Sequence, residues 1–258
     1  MNSDTALWFL GNLIELVVIG FLIYRRVWRT FSAFFIYSIW SLLASVGTVA
    51  VLHWYSDSSP AYVSTYLVST FVDSLLMFCV LVELAWSVLR PIRASLSRSA
   101  LVLVAGIILL VGAAIWPFAA FSAQLPGEYA ILARLQQTSS ILQILVFLVL
   151  VSTCQLFSVG WRNREMQIAT GLGFFSFVNL AAAMLRAHMS TWAQYGHLNQ
   201  FVIASYIASL LYWAVSFAQK EPERRKFTPE MQRLLLAVAG AAHSTRIAME
   251  DTPPGKAR

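Results

Sequence analysis

Leu7-Trp8-Phe9-Leu10-Gly11-Asn12-Leu13-Ile14-Glu15-Leu16-Val17-Val18-Ile19-Gly20-Phe21-Leu22-Ile23-Tyr24-Arg25-Arg26-Val27-Trp28-Arg29 sets the reading of the whole chain. From Leu7 to Tyr24 only Asn12 and Glu15 are strongly polar, and three arginines follow at once. A helix that crosses the hydrocarbon of a bilayer needs about 20 mostly apolar residues. Its backbone groups must bond within the segment, so such a run folds as a helix. The arginines after it mark a membrane surface.

Working outward, the same pattern recurs. Residues 6–24, 31–54, 62–88, 100–121, 131–157, 166–188 and 198–217 each qualify as a span. With 59% hydrophobic and 12% charged residues and a mean hydropathy of +0.68, the chain carries more apolar surface than a soluble core encloses. The expected fold is therefore all-α, an integral membrane bundle of seven helices over residues 1–219. A cytoplasmic tail over 220–250 and a disordered C-terminus over 251–258 follow it.

Arg25, Arg26 and Arg29 follow span one, Arg90, Arg93 and Arg98 span three, Arg162 and Arg164 span five, and Lys220, Arg224, Arg225 and Lys226 span seven. The alternate joints hold Asp57 and Glu128 and almost no Lys or Arg. Short basic loops stay cytoplasmic, which places the N-terminus outside and the C-terminus inside. The expected location is the bacterial cytoplasmic (inner) membrane. The net charge of +6 is mainly this topology signal, and anionic lipid headgroups are its natural partners rather than nucleic acid. Asp4 without a preceding cation argues against a cleaved signal peptide. Cys79 and Cys154 fall inside spans and read as small core residues, not as a disulfide.

In the tail, Thr228-Pro229-Glu230 supplies an N-cap, a proline at the first helical position and an acid in the first turn. Met231, Leu234, Leu235, Val238, Ala242 and Met249 then repeat at roughly helical spacing. A short amphipathic helix lying on the inner face or against a partner is expected. The tail is too short for a signalling domain, so any output needs a separate cytoplasmic protein.

Ionisable and polar groups within spans are costly and point to function or to interhelical ties. Tyr66, Ser69, Thr70 and Asp73 share one helical stripe in span three, and Gln136, Ser139, Ser140 and Gln143 share another in span five, with Arg134 near its entrance. Span six adds Ser176, Asn179 and Arg186, span seven Ser205, Ser209 and Tyr212, and span one Asn12 and Glu15. One reading is an outward-facing polar cavity with Asp73 at its floor and Arg134 and Arg186 at its mouth, suited to a small polar or zwitterionic ligand. Its candidate lining is Asp73, Tyr66, Thr70, Gln136, Ser140, Gln143, Asn179, Arg186, Arg134 and Glu15. The other reading pairs Asp73 with an arginine or with amide groups that fix helix register, each tie contributing about 0.5–2 kcal/mol. Glu83 reads as structural, near the basic joints. Arg25, Arg26, Arg29, Arg90, Arg93, Arg162, Arg164, Arg224 and Arg225 are candidates for headgroup or partner contact.

His53, His188 and His197 lie near outer span ends, with no second ligand at helical spacing, and neither a metal nor a cofactor is expected. Trp8, Trp54, Tyr55 and Trp192 fit interfacial belts. Span seven lacks the lysine a retinal pigment needs. Val88-Leu89-Arg90-Pro91 and Leu211-Tyr212-Trp213-Ala214 stand where animal-type receptors usually carry their signatures, and membrane-hydrolase ligand repeats are missing. Trp28-Arg29 and Trp161-Arg162 hint at a mirror of spans one to three in five to seven, the layout of triple-helix-bundle sugar transporters. The repeated spans lack the prolines that hinge those carriers.

Arg25-Arg26-Val27-Trp28-Arg29-Thr30-Phe31 with Phe34-Phe35-Ile36-Tyr37, and Trp161-Arg162 followed by Ile168-Ala169-Thr170-Gly171-Leu172-Gly173-Phe174, resemble a group of uncharacterised bacterial seven-transmembrane-helix proteins. The resemblance covers most of the bundle and not the tail. It implies the topology and no activity. The expectation is a non-enzymatic protein: a receptor- or sensor-like one acting through a cytoplasmic partner, or a scaffold subunit or homo-oligomer of a larger membrane assembly. A small-molecule transporter is the third possibility.

Overall fold

The computed structural model describes residues 3–54, 60–88, 99–119, 127–156, 163–186 and 192–219. These form seven helices and no strand: α1 (Ser3–Tyr24), α2 (Ser32–Trp54), α3 (Pro60–Val88), α4 (Ser99–Ile115), α5 (Gly127–Leu156), α6 (Arg164–Arg186) and α7 (Trp192–Ala218). All seven are long and apolar enough to cross a membrane, which makes this a multi-pass membrane protein. The tail helix and the C-terminus lie outside the described residues, as do Arg90, Arg93, Arg98, Arg162, Arg224 and Arg225.

Six helices close a ring in which α1 packs on α2, α2 on α3, α3 on α5, α5 on α6, α6 on α7 and α7 on α1. The fourth helix stands outside, against α3 and α5. Its sequence explains the position, because Ser99-Ala-Leu-Val-Leu-Val-Ala-Gly-Ile-Ile-Leu-Leu-Val-Gly-Ala-Ala-Ile115 has no charge or amide that lipid would fail to satisfy. The helix stops at Ile115 rather than running to 121. Pro117 has no N–H to extend the ladder, and a 3-10 turn forms over Trp116–Phe118.

The apolar core is concentrated towards the end of the bundle that carries the α1–α2 turn, called here the arginine end. Val18, Leu22, Phe31, Phe34, Val80, Leu84, Ile168, Leu172, Trp213 and Phe217 form it. The ring of Phe34 meets Trp213 edge-on at 5.1 Å, and Phe217 at 6.2 Å. Gly171 lies so close to Trp213 that a Cβ would overlap the indole, and a Cβ at Gly173 would lie 2.7 Å from Phe147 Cγ. These two glycines bring α6 tightly against α7 and α5, as small residues do in membrane bundles.

Charged groups tie this end together. Glu83 on α3 accepts bonds from Ser32 Oγ, Ala33 N and Phe34 N, each at 3.1 Å. It thereby caps the N-terminus of α2 with a negative charge, where the first amides lack helical partners. Its ties among the described residues are to the start of α2, in keeping with a structural role. Arg164 reaches the opposite kind of helix end. Its guanidinium donates to Ser216 O and Gln219 O at 2.8 Å and to Gln167 Oε1 at 3.0 Å, and lies over the Phe217 ring. Arg25 adds a bond to Ala218 O at 2.6 Å. Two arginines thus complement the carbonyl end of α7. At 5% exposure, Arg164 is a buried tie rather than a headgroup contact.

Candidate functional site

Glu15 on α1 is 3% exposed and mid-span. A lone carboxylate there is costly unless bonded. Ser41 on α2 and Tyr206 on α7 face it, and their hydroxyls hydrogen-bond to each other at 3.2 Å. Asp73 on α3 is within electrostatic reach of Glu15, of Tyr206 and of Tyr37 on α2. Glu15, Ser41, Asp73 and Tyr206 each lie within two residues of the middle of their spans. Four helices therefore bring one polar group each to the same depth.

Helical phase gives the direction of Asp73. Met77, Val80 and Leu84 follow it at i+4, i+7 and i+11, and all three belong to the main core, so Asp73 faces the bundle interior. No side chain among the described residues hydrogen-bonds its carboxylate. The arginine or amide partner that would make it a register-fixing pair is not among them; the Arg186 side chain lies outside the described residues.

One turn from Glu15, Asn12 Nδ2 donates to Trp8 O at 2.8 Å, and Trp8 Nε1 donates to Ser45 Oγ at 2.8 Å. Trp8, near the end of its span, is thus tied to α2. The Asn12 Oδ1 atom is enclosed and has no partner among the described residues.

A second, uncharged cluster joins α5 to α6. Ser176 donates to Gln143 Oε1, and Asn179 Nδ2 donates to Ser140 Oγ at 3.3 Å. Phe175, beside Ser176, meets the Tyr206 ring at 5.5 Å, which places this cluster next to the carboxylate site.

The predicted lining is thus brought together in part. Glu15 and Asp73 converge; Ser140, Gln143 and Asn179 pair with each other and with Ser176. Gln136 and Arg134 are exposed, as is Tyr66 at 40%, and none of the three turns into the interior. The inward face of α5 is instead Gln137, Thr138, Ser140 and Gln143. Thr70 is half-buried and its carbonyl accepts from Ser74. Ser205 and Ser209 bond back to carbonyls of their own helix, Val202 and Ser205, and Tyr212 is 38% exposed. Cys79 is exposed rather than part of the core; the Cys154 side chain lies outside the described residues. His53 is exposed, while His188 and the His197 side chain fall outside them.

Tyr206, Ser41 and Tyr37 were not among the sequence candidates. Tyr37 and Ser41 lie four residues apart on α2, with Ser45 four further on, and Tyr206 lies on α7. The available signals were that helical stripe on α2 and depth, since Ser41 and Tyr206 sit near the level of Glu15. No protein-family model, curated protein or solved structure matches this chain.

Proposed function

We propose that this protein is a non-enzymatic receptor of the bacterial cytoplasmic membrane that binds a small polar ligand at the Glu15–Asp73 site. The arginine end faces the cytoplasm and the N-terminus lies outside, as the basic joints require. The observation that carries the reading is Asp73: an inward-facing carboxylate at mid-span, within electrostatic reach of Glu15, with no hydrogen-bond partner among the described residues. An ionisable group kept in such a place is a functional-site hypothesis by default. The tightly tied arginine end closes the cytoplasmic side, so the ligand enters from outside. Output passes to a separate protein docked near the basic joints and the tail. The resemblance of its motifs to a bacterial seven-helix group is in keeping with this placement.

Mild extraction from native membranes followed by intact-complex mass analysis tests the reading. The expected result is a small molecule retained by the wild-type protein and lost from Asp73→Asn. A stoichiometric protein partner with no small molecule would support the scaffold reading instead.

A second reading, a carrier, draws on the ring. The fourth helix stands outside two triplets, α1–α3 and α5–α7, and mid-span polar groups lie between them. Counterflow of the bound molecule in reconstituted vesicles would favour it over a receptor.

A further inference from the structure

We infer that the α1–α2 turn holds the headgroup phosphate of an anionic phospholipid between the side chains of Arg26 and Arg29. This site stands apart from the mid-span carboxylates, and it gives this joint to lipid rather than to the output partner.

Depth comes first. The membrane-crossing part of α1 ends at Tyr24 and that of α2 begins at Ser32, so the joint is residues 25–31 alone. Val27 and Phe31 are buried in the main core and pin the joint against the bundle. It therefore lies flush with the membrane surface, at the level of the headgroups. Tyr24 and Trp28 are exposed there, and both are residue types that settle at that level.

The charges of the joint are unevenly engaged. Arg25 is spent on Ala218 O, and the Glu83 carboxylate on Ser32, Ala33 and Phe34 at the start of α2. Arg26 and Arg29 are exposed, and neither guanidinium forms a hydrogen bond or ion pair among the described residues. The Arg29 guanidinium lies over the Trp28 ring, 5.4 Å from its centre, which holds it at the aromatic level. Arg29 N donates to Arg26 O at 3.2 Å, a closed turn that brings the two Cα atoms within about 7 Å. Two guanidinium forks that start so close can reach one phosphate together, and their planar donors match its oxygens in pairs. Arg26 also has a φ of 55°. Glycine or asparagine fits that backbone at lower cost, so the side chain, not the turn, accounts for an arginine here.

The charge selects the headgroup. A zwitterionic lipid brings its own cation beside the phosphate and competes with the second guanidinium, whereas an anionic one leaves both arginines to pair. An acidic surface of a partner protein would meet the same charge, but it would have to reach a joint that lies among headgroups. Anionic lipid is already concentrated at that surface.

The test reconstitutes the full-length protein in nanodiscs of equal parts phosphatidylglycerol and phosphatidylcholine and counts the lipids it retains by intact-complex mass analysis. The wild-type protein retains phosphatidylglycerol in preference to phosphatidylcholine. Arg26→Gln and Arg29→Gln each lower that preference about fivefold, and the double variant lowers it further. Arg134→Gln, exposed at the other end of the bundle, leaves it unchanged. Should Arg26→Gln fail to fold, Arg29→Gln decides alone, with an unchanged unfolding midpoint as its control. Equal retention of the two lipids by the wild-type protein overturns the proposal, as does a preference unaltered in Arg29→Gln. A protein extracted with the wild type and lost from Arg29→Gln, with no lipid preference, overturns it in favour of an acidic protein surface.

Discussion

Glu83 and Asp73 lie about three turns apart on one helix and live by different rules. Glu83, at the arginine end, accepts bonds from Ser32, Ala33 and Phe34 and completes the start of α2. Asp73, at mid-span, faces the interior within electrostatic reach of Glu15 and accepts no bond from the described residues. The same contrast extends around each carboxylate. Near Glu83, charged side chains meet the open ends of helices, and Trp213 Nε1 adds a bond to Gln167 O at 3.1 Å. Near Asp73, no such bond is made among the described residues. A charge that completes a helix end contributes stability, whereas one left unmatched in the interior reduces it and persists where binding needs it.

Substitutions separate the two regions by the sign and size of their effects on reversible unfolding in mixed micelles. Arg164→Ala strikes hardest. It strands the Ser216 and Gln219 carbonyls and removes the contact with Phe217, and should lower stability by about 3 kcal/mol. A loss below about 1 kcal/mol would show that Arg25 alone suffices at that helix end. Glu83→Ala should cost about 2 kcal/mol through the uncapped α2 amides. Gly171→Ala forces a methyl into the Trp213 indole and should cost about 1–3 kcal/mol, read as a lowered unfolding midpoint. If it is silent, the α6–α7 contact is looser than described.

Mid-span changes should behave otherwise. Asp73→Asn removes an unmatched charge, so its unfolding free energy in the absence of ligand should stay within about 1 kcal/mol of wild type or exceed it. A loss approaching that of Glu83→Ala would make Asp73 a structural tie and erase the contrast. The smallest effect belongs to Gln136→Ala and Arg134→Ala, both exposed, each expected within about 0.5 kcal/mol and without effect on ligand retention.

Seven helices and their approximate limits were legible because length and apolarity leave a bilayer-spanning segment few alternatives. Pro117 even marks where α4 gives out. The rotation of each helix was not legible. On α5 the spacing of Gln136, Ser139, Ser140 and Gln143 defines a stripe, yet packing against α3 and α6 turns Gln137 and Thr138 inward and leaves Gln136 exposed. Nor does sequence distinguish Arg164, which reaches inward to the end of α7, from an arginine facing headgroups. That difference depends on where a distant helix stops. Glu15 and Asp73 announced themselves by charge alone. Their neighbours Ser41, Tyr37 and Tyr206 became visible only once two other helices, α2 and α7, were in place.

The most direct test places a cysteine at position 73. In a background with Cys79→Ala and Cys154→Ala, Asp73→Cys is exposed in intact cells to a membrane-impermeant thiol reagent, and in parallel in inverted vesicles. The account predicts labelling from the outside and none from the cytoplasmic side, because the proposed orientation sets the packed arginine end between position 73 and the cytoplasm. Labelling from the cytoplasmic side alone, or from neither side, would contradict it.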